Sequence, residues 1–257
     1  MKLQDKSVLI TGAGSGLGFE TCKILAAAGA RVAGFDRDAD ALAGLAERIG
    51  TPLFTHALDV TDEEAVRLAV DRACEEFGAV HAVINCAGVG DAAKTVSRGE
   101  VFPSEVWHKV ISINLTGTFN MVKYGALAMM RNEPDVETGE RGVIVNTSSG
   151  AAKHGQMGQA AYAASKAGVL GLTLPVARDL AGDSIRVVAI SPGLFDTAMV
   201  AGLPDKVRDA LVQKMILFPN RMGTGAEFGA LVQHIIENSY LNATSIDLDA
   251  GARMTNR

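Results

Sequence analysis

Residues 7–18 read Ser-Val-Leu-Ile-Thr-Gly-Ala-Gly-Ser-Gly-Leu-Gly, an apolar run that passes directly into a turn carrying four glycines. No other stretch restricts the fold as much. A short run without polar alternation, Ser7 to Thr11, suits a strand buried on both faces, and such strands belong to parallel sheets. A helical pattern follows, through about Ala28 to a closing Gly29, so the turn sits at a helix N-terminus. Backbone N–H groups and the helix dipole gathered there can hold a pyrophosphate. A Gly-x-Gly-x-x-Gly fingerprint beginning at Gly12 needs glycine at position 17, where this chain has Leu17. The spacing is instead Thr11-Gly12, then Gly16 and Gly18, with Ser15 and Leu17 completing the loop. Taken alone, such a segment is also compatible with a turn that binds nothing.

The alternation continues. Arg31–Asp36, Leu53–Asp59, Val80–Asn85, Val143–Thr147, Ile185–Ile190 and Ile246–Leu248 read as further strands, separated by stretches of helical period. This order predicts an α/β chain: one doubly wound parallel sheet of about seven strands, in the order 3-2-1-4-5-6-7, with helices on both faces. With 257 residues and no repeat or linker, a single domain over 1–257 is expected. Thr61 and Glu64 have capping-box spacing, opening a helix whose Val66, Ala69, Val70, Ala73 and Phe77 share one face. Trp107–Met130 reads as one long helix, Asn132–Arg141 as a loop, and Glu227–Glu237 as the last helix. Residues 194–222, rich in Leu, Met, Ile and Phe, read as a flexible apolar substrate lid.

Composition removes several function classes. The formal charge is -5, no basic block occurs, and aromatic residues make up 5%, which argues against nucleic acid as a partner. Cys22, Cys74 and Cys86 show no zinc or disulfide spacing, and the five histidines form no ligand motif, so no metal is expected. No apolar run has the length of a membrane span, and the first strand leaves no room for a signal peptide, so a cytoplasmic protein is expected.

Asp36 ends the second strand, where a carboxylate can accept hydrogen bonds from an adenosine ribose and repel a 2'-phosphate. That favours NAD over NADP, although the adjacent Arg37 weighs the other way. Asp59 and Val60, at the end of the third strand, can frame an adenine; Asp59 can equally be a surface carboxylate. Tyr162 and Lys166 lie four residues apart in a helical stretch, so phenol and ammonium emerge on one face, roughly 6 Å apart along the axis. A cation there favours the tyrosinate, making a phenol of pKa about 10 usable as an acid or base. By itself the pair also fits an ordinary helix surface.

Thr11-Gly12-x-x-x-Gly16-x-Gly18, Asn85-Cys86-Ala87-Gly88, Asn114, Ser149, Tyr162-x-x-x-Lys166 and Pro192-Gly193 occur in the order and spacing of the short-chain dehydrogenase/reductase family, and the chain resembles that family over essentially its whole length. The resemblance implies a Rossmann-type sheet forming one dinucleotide-binding and catalytic domain, and an enzyme interconverting a secondary alcohol and a ketone. Tyr162 would be the acid/base, Lys166 would lower its pKa and hold the nicotinamide ribose, and Ser149 would bind the substrate oxygen, with Ser148 the competing hydroxyl. Asn114 would anchor a proton-relay water. Asn85, Ala87 and Gly88 would support the cofactor, with Cys86 standing where the family's pattern has a second Asn. Pro192, Gly193, Leu194 and Thr197 would hold the nicotinamide carboxamide, and Gln156 is a substrate-contact candidate.

Within the family the chain more closely resembles the type II 3-hydroxyacyl-CoA dehydrogenases, also described as type 10 17β-hydroxysteroid dehydrogenases. The stretches Asn132–Asp135, Gly155–Tyr162, Leu172–Leu180, Pro192–Phe195, Ile235–Asn238 and Tyr240–Asn242 carry this likeness. It implies NAD-dependent conversion of an (S)-3-hydroxyacyl-CoA to the 3-oxoacyl-CoA, a place in fatty acid metabolism, and a homo-oligomer, dimer or tetramer. Alternatives are a hydroxysteroid or other hydrophobic alcohol, a 3-oxoacyl-carrier-protein reductase, or a nucleotide-sensing protein without catalysis. Lys94 and Arg98 are weak candidates for CoA phosphate contacts, or solvated loop charges. The small residues Ala163, Ala164, Ala167, Gly168 and Gly171 suit either a helix pairing with a second copy or close packing on the sheet. Near the C-terminus, Asp249-Ala250-Gly251 has its glycine displaced by one from the family's usual Asp-Gly, leaving the end of the last strand open.

Overall fold

The computed structural model describes residues 1–197 and 205–253. Seven strands form one sheet in the order β3-β2-β1-β4-β7-β8-β9: β1 Ser7–Thr11, β2 Arg31–Asp36, β3 Phe54–Ala57, β4 Ala82–Asn85, β7 Gly142–Thr147, β8 Ile185–Pro192 and β9 Thr244–Leu248. Every pairing is parallel. This is the expected architecture and strand order, with a separate antiparallel hairpin, β5 Val96–Ser97 and β6 Glu100–Val101, inserted into the numbering.

Alternate residues of each strand feed two cores. Val8, Ile10, Val143, Val145, Val188 and Ile190 face α1 (Gly16–Ala27) and α9 (Gly225–Glu237), where Cys22, Leu25, Phe228, Val232 and Ile235 are fully buried. Leu9, Val83, Ile144 and Val187 face the opposite way, against α4 (Glu63–Phe77), α6 (Thr118–Met129) and α7 (Ala160–Asp179). Burial on both faces explains why these strands lack alternation in sequence.

Several local expectations are corrected. The helix predicted over Trp107–Met130 begins at Ser104 and is three pieces: α5 (Ser104–Ile111), a π-helical turn (Ser112–Gly117), and α6. The N-cap of α4 is Asp62, not Thr61: the Asp59 carboxylate takes both the N–H and hydroxyl of Thr61, while Asp62 Oδ1 accepts from Ala65 N–H at 3.0 Å. A reciprocal capping box opens α9 instead, between Thr224 and Glu227. The third and fourth strands are shorter than expected, and α2 (Ala39–Ala43) and α3 (Leu45–Ile49) occupy a stretch with no predicted element. β9 ends at Leu248. Beyond it both Ala250 (φ 51°) and Gly251 (φ 71°) are left-handed, so the displaced glycine leaves an alanine in a conformation L-residues disfavour.

At the opposite end of the sheet from these turns, His81 Nδ1 accepts the Ser7 N–H at 3.1 Å. Burial, then the charges of Lys6 and Arg31, push its pKa down to about 4, with Asp135 opposing. The unfolded chain therefore takes up this proton first. The contribution is complete above the unfolded value of 6.5 and is lost as pH falls toward about 4. We expect the thermal midpoint to fall across that window, and less steeply in His81→Gln; equal slopes in the two proteins would refute the assignment.

Candidate active site

The C-terminal ends of β1, β2, β4, β7 and β8 open into one cavity of about 790 Å³. Gly12 starts the first turn at φ +68°, and a Cβ there would lie 2.9 Å from the Ala87 nitrogen, so only glycine fits between β1 and β4. Thr11 Oγ1 holds the two strand ends together, accepting from the N–H groups of Cys86 and Ala87, both at 3.1 Å. Ser15 is the N-cap of α1 but makes no side-chain cap, so its hydroxyl does not occupy the first N–H groups of the helix. Gly12, Ser15, Gly16, Leu17 and Gly18 all line it.

Asp36 is oriented by the backbone: Oδ2 accepts from Gly14 N–H at 3.0 Å and Oδ1 from Asp38 N–H at 3.1 Å. Arg48 braces the same turn, its guanidinium 4.1 Å over the Phe19 ring and donating to the Gly14 carbonyl at 3.3 Å. Asp59 and Val60 line the cavity beside Phe35 and Leu58, two apolar walls absent from the sequence reading.

At the other end, Ser149 and Tyr162 line the cavity together, and the Lys166 ammonium lies 5.9 Å from the phenol ring centroid. Ser148 is committed elsewhere, donating to the Lys166 carbonyl at 2.8 Å, which leaves Ser149 as the hydroxyl beside Tyr162. Lys166 is buried and donates to the Thr147 carbonyl at 2.8 Å; burial pushes its pKa down to about 8, with Cys86 opposing. Burial raises the Tyr162 pKa and the Ser149 hydroxyl lowers it, while the Lys166 ammonium is turned to the Thr147 carbonyl.

Asn114 and Asn85 stand behind the cavity rather than in its wall. In the π-helical turn, Asn114 Oδ1 accepts from Val89 N–H at 2.8 Å, while Nδ2 donates to the Val89 carbonyl at 2.9 Å and Ser165 Oγ at 3.0 Å. A Cβ on Gly88 would come 3.2 Å from Asn114 Oδ1 and 3.4 Å from Lys166 Nζ, so glycine there lets both side chains through. Asn85 Nδ2 donates to Asn146 Oδ1 at 2.8 Å, joining β4 to β7. Ala87, Gly88, Pro192, Gly193, Leu194, Thr197 and Gln156 line the cavity as expected.

Thr147, Cys86 and Gln159 line it too, and sequence reasoning did not single them out as site residues. Thr147 and Cys86 carried a usable signal, since each closes or follows a strand at this sheet edge. Lys94 and Arg98 are exposed, on and beside the β5–β6 hairpin, outside the cavity wall. Of the expected lid, Leu194, Phe195, Thr197 and Leu211, the last in α8 (Asp205–Met215), reach the cavity; 198–204 lie outside the described residues.

A glycine-rich turn before a helix, a backbone-oriented carboxylate and a Ser–Tyr–Lys group at the C-terminal end of one parallel sheet are the arrangement of a short-chain type of dehydrogenase. The family model described as short chain dehydrogenase matches residues 6–208, and the chain belongs to that family of oxidoreductases. It is 46% identical over 248 residues to the Bos taurus 3-hydroxyacyl-CoA dehydrogenase type-2, covering 96% of this chain and 94% of that protein. It is 34% identical over 256 residues to a 3-oxoacyl-acyl-carrier-protein reductase of Thermotoga maritima, covering 98% and 99%. Among solved structures, the 3-hydroxyacyl-CoA dehydrogenase type-2 of Mycobacterium avium superposes with a TM-score of 0.92 at 33% identity, covering 98% and 97% of the two chains.

Proposed function

We propose that the chain is an NAD-dependent dehydrogenase that interconverts the 3-hydroxyl of an (S)-3-hydroxyacyl-CoA and the corresponding ketone, acting as one catalytic domain with residues 194–222 as its lid. The placement of Ser149 and Tyr162 in one cavity wall beside buried Lys166 carries the reading, because it offers a hydroxyl and a proton-exchanging phenol to one substrate oxygen. The likeness to type-2 3-hydroxyacyl-CoA dehydrogenase supports the substrate class. The turn at Gly12–Gly18, with Gly12 confined and the helix N-terminus uncapped, fits a dinucleotide's pyrophosphate, and Asp36 fits its ribose hydroxyls.

The nicotinamide, when bound, supplies the hydride acceptor or donor. In oxidation Tyr162 takes the alcohol proton; in reduction it returns one to the carbonyl oxygen, while Ser149 holds that oxygen in line. Its raised pKa leaves Tyr162 a phenol at neutral pH, so oxidation should accelerate as pH rises and reduction should not. Lys166 places positive charge beneath the phenol and is positioned for the ribose. Asn114 fixes the Val89 peptide and Ser165 around it.

Wild-type protein is expected to bind NADH more tightly than NADPH, and Asp36→Ala to narrow the ratio about tenfold, since one charge-assisted acceptor and one repulsion are removed. NADH formation should follow addition of 3-hydroxybutyryl-CoA; activity on a hydroxysteroid with none on any acyl thioester would overturn the CoA assignment. NADPH preferred over NADH would favour the carrier-protein reductase reading. Self-association is also proposed, as dimer or tetramer, through α6 and α7, which present exposed Phe119, Leu127 and Leu174 beside exposed Ala164, Ala167 and Gly171. A cytoplasmic location remains our reading; among the described residues no helix is long and apolar enough to cross a membrane.

A further inference from the structure

Gln159 stands immediately before α7 at the N-cap position, and its residue lines the cavity together with Ser149 and Tyr162. Its backbone is fixed. The N–H donates to the Gln156 carbonyl at 3.1 Å, the carbonyl accepts from Ala163 N–H at 2.7 Å, and a β-bridge joins the residue to Ala93. The fold does not use the side chain in return: it makes no capping hydrogen bond to the helix, and among the described residues its Oε1 is buried without a partner. The Ser148 hydroxyl does not serve it, since it donates to the Lys166 carbonyl. A buried amide oxygen lacking a donor is unfavourable, and such groups in native structures call for a specific account. Here the position supplies one. Gln159 precedes Tyr162 by three residues and lines the same cavity, so its amide belongs to the wall that also carries the phenol.

We propose that Gln159 is a specificity-determining residue, accepting a hydrogen bond from the amide N–H on the cysteamine arm of a thioester substrate. The inference rests on the thioester reading given above. A thioester offers only acceptors at its carbonyl and sulfur. In an acyl-CoA the first donor met beyond the reacting carbon is the amide N–H, two methylenes past the sulfur. An acceptor one helical turn from Tyr162 is placed for that donor, and a simple alkyl thioester leaves it unpaired.

Two truncated substrates separate the possibilities: acetoacetyl-N-acetylcysteamine, which has this amide, and S-butyl acetothioacetate, which lacks it, both followed by NADH oxidation. Wild-type protein should favour the first by about tenfold in kcat/KM, the scale of one hydrogen bond to a neutral group. Gln159→Met, which keeps length but removes the acceptor, should bring the kcat/KM ratio of the two substrates close to one. Gln159→Glu, which keeps an acceptor, should retain the preference, and it decides alone if the Met variant fails to bind NADH. Equal loss on both substrates would make Gln159 a support for the start of α7 and overturn the proposal, as would no wild-type preference. Wild-type protein that reduces neither thioester would overturn the thioester reading itself, and this proposal with it.

Discussion

Tyr162→Phe is expected to lower kcat by about 10³-fold, within the range general acid–base groups contribute, while leaving NADH affinity nearly unchanged. The substitution removes one oxygen and keeps the ring, so the packing of α7 is retained. What disappears is the hydroxyl proposed to carry the proton. The cradle proposed for the cofactor lies elsewhere, at the Gly12–Gly18 turn and Asp36, and Lys166 is held by the Thr147 carbonyl rather than by the phenol. Fluorescence titration with NADH and steady-state turnover on the best substrate measure the two quantities separately. Near-normal turnover would remove Tyr162 from the reaction. Tight NADH binding by the wild type without turnover of any secondary alcohol would instead point to a nucleotide sensor.

The fold was legible because its strands are buried on both faces, and such runs announce themselves without knowledge of their partners. Boundaries were less so, since a competing local contact decides them. Asp59 captures the Thr61 hydroxyl and transfers the cap of α4 to Asp62, an outcome settled by which acceptor lies closer in space. The π-helical turn around Asn114 is similarly invisible, because its residues carry ordinary helical propensity; the register shift is accompanied by Asn114's bonds to Val89 and Ser165, distant in sequence. The Ser149 assignment rested on spacing, and the physical reason emerges only in the fold, where the Lys166 carbonyl occupies Ser148. The direction of the Tyr162 shift needed three-dimensional burial as well. Helical spacing placed Lys166 on the correct face but not the Thr147 carbonyl to which its ammonium turns. Gln159 had no signal, since an amide before a helix start is an unremarked neighbour until its oxygen is found without a donor.

The second large effect lies far from this chemistry. Arg186→Leu is expected to destabilise the protein by about 3–5 kcal/mol, the cost of stranding one member of a buried ion pair. Arg186 enters β8 and Glu140 precedes β7, with their side chains 6% and 5% exposed and Nε donating to Oε2 at 2.6 Å. The N-terminal ammonium of Met1 bonds the other carboxylate oxygen. Arg186 also closes the end of α9, donating to the carbonyls of Ile235 at 3.0 Å, Ile236 at 3.0 Å and Leu241 at 2.8 Å. Leucine would leave those three carbonyls without their donor and the carboxylate with one cation instead of two. Such a loss corresponds to roughly 10 °C in thermal midpoint for a domain of this size. The pair sits where β7 and β8 begin, whereas the cavity lies where they end, so kcat at 25 °C should be unaffected while the protein remains folded. Combining Arg186→Leu with Glu140→Leu should cost less than the sum of the single changes, because the second removes the carboxylate that the first strands. Additive losses would show that the two groups stabilise the sheet independently, and a parallel fall in kcat would mean that this end of the sheet is coupled to the site.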